Sequence, residues 1–115
     1  MKYKSTQQLE DVNFKEARAL YKSMGCSEAD LRGPVIGIAN SWNELVTGHF
    51  NLRQAAEFVK KGIYRAGGTA VEFGMIGACD GLASGHGGMK YILPSRELIA
   101  NSLESMARAH NLDGL

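Results

Sequence analysis

The chain has 115 residues, 44% of them apolar and 22% charged, with a formal net charge of +1. That length holds one domain or part of one, and near-neutral charge with no basic run or aromatic–basic interleaving argues against nucleic acid and anionic membrane as partners. Two cysteines, Cys26 and Cys79, are too few for a disulfide framework and lack metal-ligand spacing, so a reducing, cytoplasmic location is the expectation.

In chain order, residues 1–13 show no period, and the opening ten are too polar for a signal peptide or an anchor. No later apolar run approaches the length of a bilayer span. Phe14, Ala17, Leu20 and Tyr21 recur at helical spacing, and Gly25 supplies a stop. Residues 27–31 add a short helical turn, and Gly33-Pro34 breaks what precedes. Residues 1–33 therefore read as an N-terminal helical and extended arm, and residues 34–115 as a partial α/β domain. The apolar run 35–39 suits a strand buried on both faces. A polar loop, 40–49, follows with one tryptophan, Trp42. Leu52, Ala55, Ala56, Val59 and Ile63 then predict an amphipathic helix, capped by Asn51 and ended by Gly67-Gly68 in the manner of a left-handed C′ position. Residues 69–73 read as a second strand running on toward Ile76, which makes a parallel, right-handed βαβ unit.

The apolar run stops at Cys79-Asp80-Gly81, and a loop containing Gly81, Gly85, Gly87, Gly88 and His86 follows. Pro94-Ser95 opens a second helix, with Ser95 as cap and Glu97 in the first turn. Its inward face is Leu98, Ile99, Leu103, Met106, Ala107 and His110. Residues 111–115 lead into a third strand. The fold class is α/β, a three-layer parallel-sheet βαβ segment whose alternation breaks off mid-unit, and the expectation is a piece of a larger protein.

Open α/β sheets place their chemistry at the carboxyl ends of strands, which singles out Asp80 beside the glycine loop. Asp-Gly is also a common turn pair, so a plain turn is the competing reading. As an oxygen ligand Asp80 suits Mg²⁺, provided partners come from elsewhere. Gly85-His86-Gly87 begins a dinucleotide fingerprint, but Lys90 stands where its third glycine belongs, and no P-loop occurs. His49, His86 and His110 lie too far apart to form a zinc site by spacing. His110 reads as a helix-dipole partner, His49 as either a loop brace or a substrate contact, and His86 as the best functional candidate of the three. Cys26 reads as a small apolar filler, while Cys79 stays open.

Taken together, Ile36-Gly-Ile-Ala-Asn-Ser-Trp-Asn-Glu44, Gly48-His49-x-x-Leu52-Arg53, Ala66-Gly-Gly68, Glu72-Phe73, Cys79-Asp-Gly-x-Ala-x-Gly-His-x-Gly-Met89, Tyr91-x-Leu-Pro-Ser-Arg-Glu97-x-Ile99-Ala and Ala109-His110-x-x-Asp113-Gly-Leu resemble a known family. It is the dihydroxy-acid dehydratase and phosphogluconate dehydratase family. The likeness is to its N-terminal portion, over roughly residues 14–115, and is nearest the dihydroxy-acid branch. The resemblance implies an iron–sulfur, Mg²⁺-dependent hydro-lyase making 2-keto acids from small 2,3-dihydroxy acids in valine and isoleucine biosynthesis, and a homo-oligomer (a dimer) in the full-length protein. It implies Asp80 as a Mg²⁺ ligand and leaves His49, His86 and Ser95 as substrate or loop candidates. Members with a 2Fe–2S cluster carry cysteine where this chain has Gly48; the Gly-His form resembles the branch described as holding 4Fe–4S. No cluster ligand is carried onto Gly48 or Cys79. The Asn-Cys-Asp-Lys segment, the later cysteine, the serine base and a distal glutamate are expected beyond Leu115, so no catalytic residue is assigned within this segment. Ser84 stands where methionine is common. The alternatives are a sugar-acid (phosphogluconate-type) dehydratase, a non-catalytic remnant or interaction domain, and a nucleotide-binding module.

Overall fold

The elements are, in chain order, α1 (Lys4–Glu10), α2 (Lys15–Ser23), β1 (Val35–Asn40), α3 (Leu52–Arg65), β2 (Thr69–Gly74), α4 (Asp80–Ala83) and α5 (Ile92–Ala109). Single 3₁₀ turns occupy Asp30–Arg32, Thr47–His49 and Gly87–Tyr91. The computed structural model describes residues 3–11, 13 and 15–115. Phe14, read above as part of a helical face, lies outside them.

β1 and β2 run parallel, in register from Val35 opposite Thr69 to Asn40 opposite Gly74. Alternation along the strands gives the sheet two faces. On one, Ile36, Ile38 and Asn40 share a side with Ala70 and Glu72. Lys60 of α3 pairs with Glu72 there, and Asn40 donates to the Leu52 carbonyl, so α3 covers this face. On the other, Val35 joins Leu9, Leu31 and Leu112 in the buried core. Ala17, Tyr21, Val71, Phe73 and Ala107 pack against that core, so parts of α1, α2 and α5 cover the second face. Helices on both faces of a parallel sheet are the three layers the alternation predicts. At Gly37, an added Cβ would meet Leu112 and Leu115 at 2.6 Å, so the core closes directly onto strand backbone.

The expected lead-in to a third strand is present. Gly114 pairs parallel to Ile36, the Gly37 N–H donates to the Gly114 carbonyl at 2.9 Å, and the Asp113 N–H donates to the Val35 carbonyl at 2.9 Å. β1 is therefore central, with β2 on one side and residues 113–114 on the other. The predicted C′ glycine also holds: Gly67 has φ +82°, its N–H donates to Tyr64, and that of Gly68 donates to Ile63, a Schellman closure of α3.

Other details differ from the sequence reading. Ala56 is buried and Leu52, Lys60 and Ile63 are half-buried, whereas Ala55 and Val59 face outward; the sheet contacts a stripe rotated from the apolar one, and the Lys60 stem fills part of it. Asn51 makes no side-chain cap. β2 ends at Gly74, before Ile76. The glycine segment is not one open loop, because α4 and the turn Gly87–Tyr91 order most of it. That turn runs straight into α5, which starts at Ile92. Pro94 then falls in the first turn, where its missing N–H is tolerated. Ser95 lies inside the helix instead of capping it, and Leu98 and His110 are exposed. α5 buries no residue, and the radius of gyration is 17.0 Å, against about 13 Å for a compact chain of this length. Among the described residues, no helix is long and apolar enough to cross a membrane.

Candidate functional site

Asn40, buried at the last position of β1, turns the chain out of the sheet. Its Oδ1 accepts the Trp42 N–H at 2.9 Å, and its Nδ2 donates to Glu72 Oε1 at 2.8 Å. Lys60 pairs with Glu72 at 2.5 Å and with Glu57 at 2.7 Å. Hydrogen bonds from Lys60 and then Asn40 hold the Glu72 carboxyl below the usual carboxylate range, and those to Glu57 and then Glu72 push the Lys60 ammonium up. Beyond Asn40, Trp42 Nε1 donates to the Phe50 carbonyl at 3.1 Å, and the Arg53 guanidinium stacks 3.6 Å from the indole centroid. Asn43 Oδ1 accepts the N–H groups of Leu45 and Val46. The loop after β1 is thus braced by its own side chains.

His49 ends that loop, half-buried, with Nδ1 2.9 Å from the Ser41 carbonyl. A carbonyl only accepts, so Nδ1 carries the proton in the neutral ring and Nε2 keeps its lone pair. The segment after β2 passes so close that a Cβ on Gly77 would lie 2.9 Å from the His49 ring. Glycine at 77 is what lets the two strand-end segments meet.

A cleft of about 370 Å³ opens at the carboxyl ends of the strands. Its walls are apolar, among them Ala39, Met75, Ile76, Ile92, Ile99 and Leu103. Its polar members are Ser41, His49, Ser95 and Arg96. Ser95 Oγ donates to the Ile92 carbonyl at 2.6 Å, which commits its proton and leaves acceptor capacity.

Of the four candidates, then, His49 and Ser95 meet in one cleft. Asp80 and His86 do not line it. Asp80 is exposed at the first position of α4, its Oδ1 accepting the Gly81 N–H at 2.9 Å. His86 has both ring nitrogens engaged: Nε2 donates to the Leu82 carbonyl at 3.0 Å, and Nδ1 accepts the Gly88 N–H at 3.0 Å. The turn between them uses Gly85 at φ +86°. Among the described residues no three His, Cys, Asp or Glu side chains converge on a metal position. Mg²⁺ keeps several waters and takes one or two carboxylates, so an exposed Asp80 fits as one ligand. An iron–sulfur cluster does not find its donors here. Cys26 is packed against the apolar core, its thiol pushed up by burial and then by Asp30, and Cys79 stands apart from it at the start of α4. Arg96 was missed by the sequence reading, since a lone arginine in a helix carries no spacing signal.

Residues 33–115 match the family model described as dihydroxy-acid/6-phosphogluconate dehydratase N-terminal. The chain belongs to this dehydratase family. Every residue lining the cleft falls within the matched segment. Over 98 residues, 85% of the chain, it is 59% identical to the dihydroxy-acid dehydratases of Pyrococcus abyssi and Acetivibrio thermocellus. It is 57% identical to that of Methanococcus vannielii. The chain spans 18% of the length of each of these relatives.

Proposed function

We propose that the chain is the N-terminal part of an iron–sulfur, Mg²⁺-dependent hydro-lyase that dehydrates a 2,3-dihydroxy acid to a 2-keto acid, as in valine and isoleucine biosynthesis. The observation that carries this reading is the meeting of His49 and Ser95 in an apolar-walled cleft at the carboxyl ends of the strands. That cleft lies in a segment 59% identical to proteins named for that reaction. The full-length protein is read as a cytoplasmic homo-oligomer.

In such a dehydration the C2 proton leaves, the C3 hydroxyl departs as water, and the enol tautomerises to the ketone. Asp80 would hold Mg²⁺ in part, and the bound ion would supply positive charge for orienting the acid. Cys26 and Cys79 make no ligand set for the cluster. Of the chain's own groups, His49 Nε2 accepts a hydrogen bond from a substrate hydroxyl and Ser95 Oγ accepts a second. The aliphatic walls exclude water from the reacting carbons and favour a short hydrocarbon tail over a polyhydroxylated one. The isolated 115 residues are expected to give no turnover.

The test grafts this chain in place of the matching segment of the Pyrococcus abyssi protein. The chimera should form keto acid from a 2,3-dihydroxy acid, and Asp80→Asn in it should cut kcat by about 100-fold or more while leaving stability within about 0.5 kcal/mol, as for an exposed position. A folded, cluster-loaded chimera with no activity, or one indifferent to Asp80→Asn, would overturn the reading.

A further inference from the structure

We propose that Glu72 is a positioning residue for the cleft: through Asn40 it sets the peptide plane at Ser41, and with it the place and tautomer of the His49 ring. The effect on turnover rests on the dehydratase reading; the positioning itself does not.

Three polar residues are buried among those described, Ser5, Asn40 and Thr69. Ser5 binds Asp113 and Thr69 binds the Asp30 carbonyl, both at the amino ends of the strands. Asn40 alone lies at the carboxyl ends, and its carboxamide is fully committed. Nδ2 donates to Glu72 Oε1 at 2.8 Å and to the Leu52 carbonyl at 3.3 Å, and Oδ1 accepts the Trp42 N–H at 2.9 Å. Turning the amide over would set oxygen against a carboxylate and a carbonyl, and N–H against N–H, so only one orientation is satisfied. The bond to Glu72 is the shorter of the two donations and the one to a charged acceptor, so it carries more of the hold. Lys60 takes the other carboxylate oxygen at 2.5 Å, which keeps Glu72 turned toward Asn40. Glu72 itself lies outside the cleft lining.

From Asn40 the hold passes to His49 in two steps. The bond from the Trp42 N–H to Asn40 Oδ1 closes an Asx turn over residues 40–42, with the Ser41 peptide plane inside it. The Ser41 carbonyl then faces His49 Nδ1 at 2.9 Å and accepts Asn43 Nδ2 at 3.1 Å. Because a carbonyl only accepts, its direction decides that Nδ1 carries the proton and Nε2 the lone pair. Gly77 closes on the same edge of the ring, where a Cβ would lie 2.9 Å from both Nδ1 and Cε1, so the ring has little room to seek another partner. The Trp42 indole is held independently, by the Phe50 carbonyl and by Arg53. Losing Glu72 therefore frees the Ser41 plane without unravelling the loop.

The experiment reads the His49 imidazole ¹⁵N resonances of this chain at a pH where the ring is neutral, since the two tautomers give distinct Nδ1 and Nε2 shifts. Glu72→Ala should move both resonances toward mixed-tautomer values. Glu72→Gln, which keeps an acceptor oxygen for Asn40, should stay near the parent. Asn40→Asp sets two carboxylates against each other and should move the resonances further; adding Glu72→Gln to it exchanges donor and acceptor and should bring them part of the way back. That pair also carries the test if Glu72→Ala does not fold. Asp113→Asn weakens the fold from the opposite end and should leave the His49 resonances in place, which separates positioning from lost stability. Resonances unmoved by Glu72→Ala, Glu72→Gln behaving like Glu72→Ala, no return in the double variant, or an equal movement in Asp113→Asn would each overturn the assignment. In the chimera, Glu72→Ala should lower kcat/KM about 10-fold, the worth of one misplaced hydrogen bond, and Glu72→Gln should restore most of it. The two proposals fail separately. An inactive chimera with the resonance pattern as expected removes the dehydratase reading and leaves the positioning. An active chimera whose kcat/KM is indifferent to Glu72→Ala removes the positioning role and leaves the dehydratase.

Discussion

At the amino-terminal end of the strands, segments far apart in sequence are tied to one another; at the carboxyl-terminal end, each loop is tied mainly to itself. Asp113 is the knot of the first. Its Oδ2 accepts the Val35 N–H at 2.7 Å and the Ser5 hydroxyl at 2.5 Å, and its Oδ1 accepts the Ser5 N–H at 3.1 Å. One carboxylate thereby joins α1, the first residue of β1 and the incipient third strand, over a core of Leu9, Leu31, Val35 and Leu112. Backbone closes in as tightly as side chains do: a Cβ on Gly33 would lie 2.2 Å from the Gly67 carbonyl oxygen. At the other end, Asn43, Trp42 and His86 bond within their own loops, and Leu45, Phe50, Tyr91 and Leu93 are between 71% and 76% exposed. Long-range ties hold the fold at one end, and at the other His49 Nδ1 and the Ser95 hydroxyl proton are spent on local carbonyls, which leaves His49 Nε2 and the Ser95 oxygen as acceptors for a ligand.

That contrast can be broken most directly at Leu9, 2% exposed. Leu9→Ala should cost about 2–5 kcal/mol, the range for a truncated core leucine, read from urea unfolding. Next comes Asp113→Asn, which replaces one accepting oxygen by an amide donor and leaves a buried N–H short of a partner, for about 1–3 kcal/mol. Its pH dependence sharpens the point. Partial burial pushes the Asp113 carboxyl up, but hydrogen bonds from the Ser5 hydroxyl and the N–H groups of Val35, Ser5 and Lys4 together outweigh it and hold the group below the usual range. A depressed folded value means stability fully present above the unfolded pKa of about 3.9, and lost as pH falls from there through the folded value. Acid unfolding should therefore be less steep in Asp113→Asn than in the parent. The smallest effect is expected at the carboxyl end. Gly77→Ala should cost about 0.5–1 kcal/mol, yet it should shift the ¹⁵N resonances of the His49 ring, against which the new methyl must push. A Gly77→Ala penalty as large as that of Leu9→Ala would mean that both ends carry the fold alike.

Much of this molecule is local and therefore legible in one dimension. The β1 run, the period of α3, the left-handed stop at Gly67 and the lead-in at residues 113–114 all follow from alternation, helical spacing and glycine chemistry. The family likeness rests on the same strings of residues, and the matched segment 33–115 bears it out. The errors arose where a neighbour decides. Which apolar residues of α3 turn inward depends on how the helix sits across the strands, and Lys60 took a place that periodicity assigned to Val59 because Glu72 and Asn40 faced it. Pro94 marks a helix start and so predicts Ser95 as a cap, whereas the turn Gly87–Tyr91 already begins the winding.

By itself the sequence determined the strand–helix–strand–helix order from β1 to α5, the strand lead-in after it and the dehydratase ancestry, but neither α1 nor α4, since the former depend on residue spacing and on motifs that survive as strings. Only the tertiary structure decided that His49 and Ser95 share a cleft with Arg96, that Asp80 and His86 stand outside its lining, and that Asp113 locks the opposite end. The physical reason is that those meetings depend on strand register and on the path of two crossovers, which bring together groups dozens of residues apart and leave no trace in local periodicity.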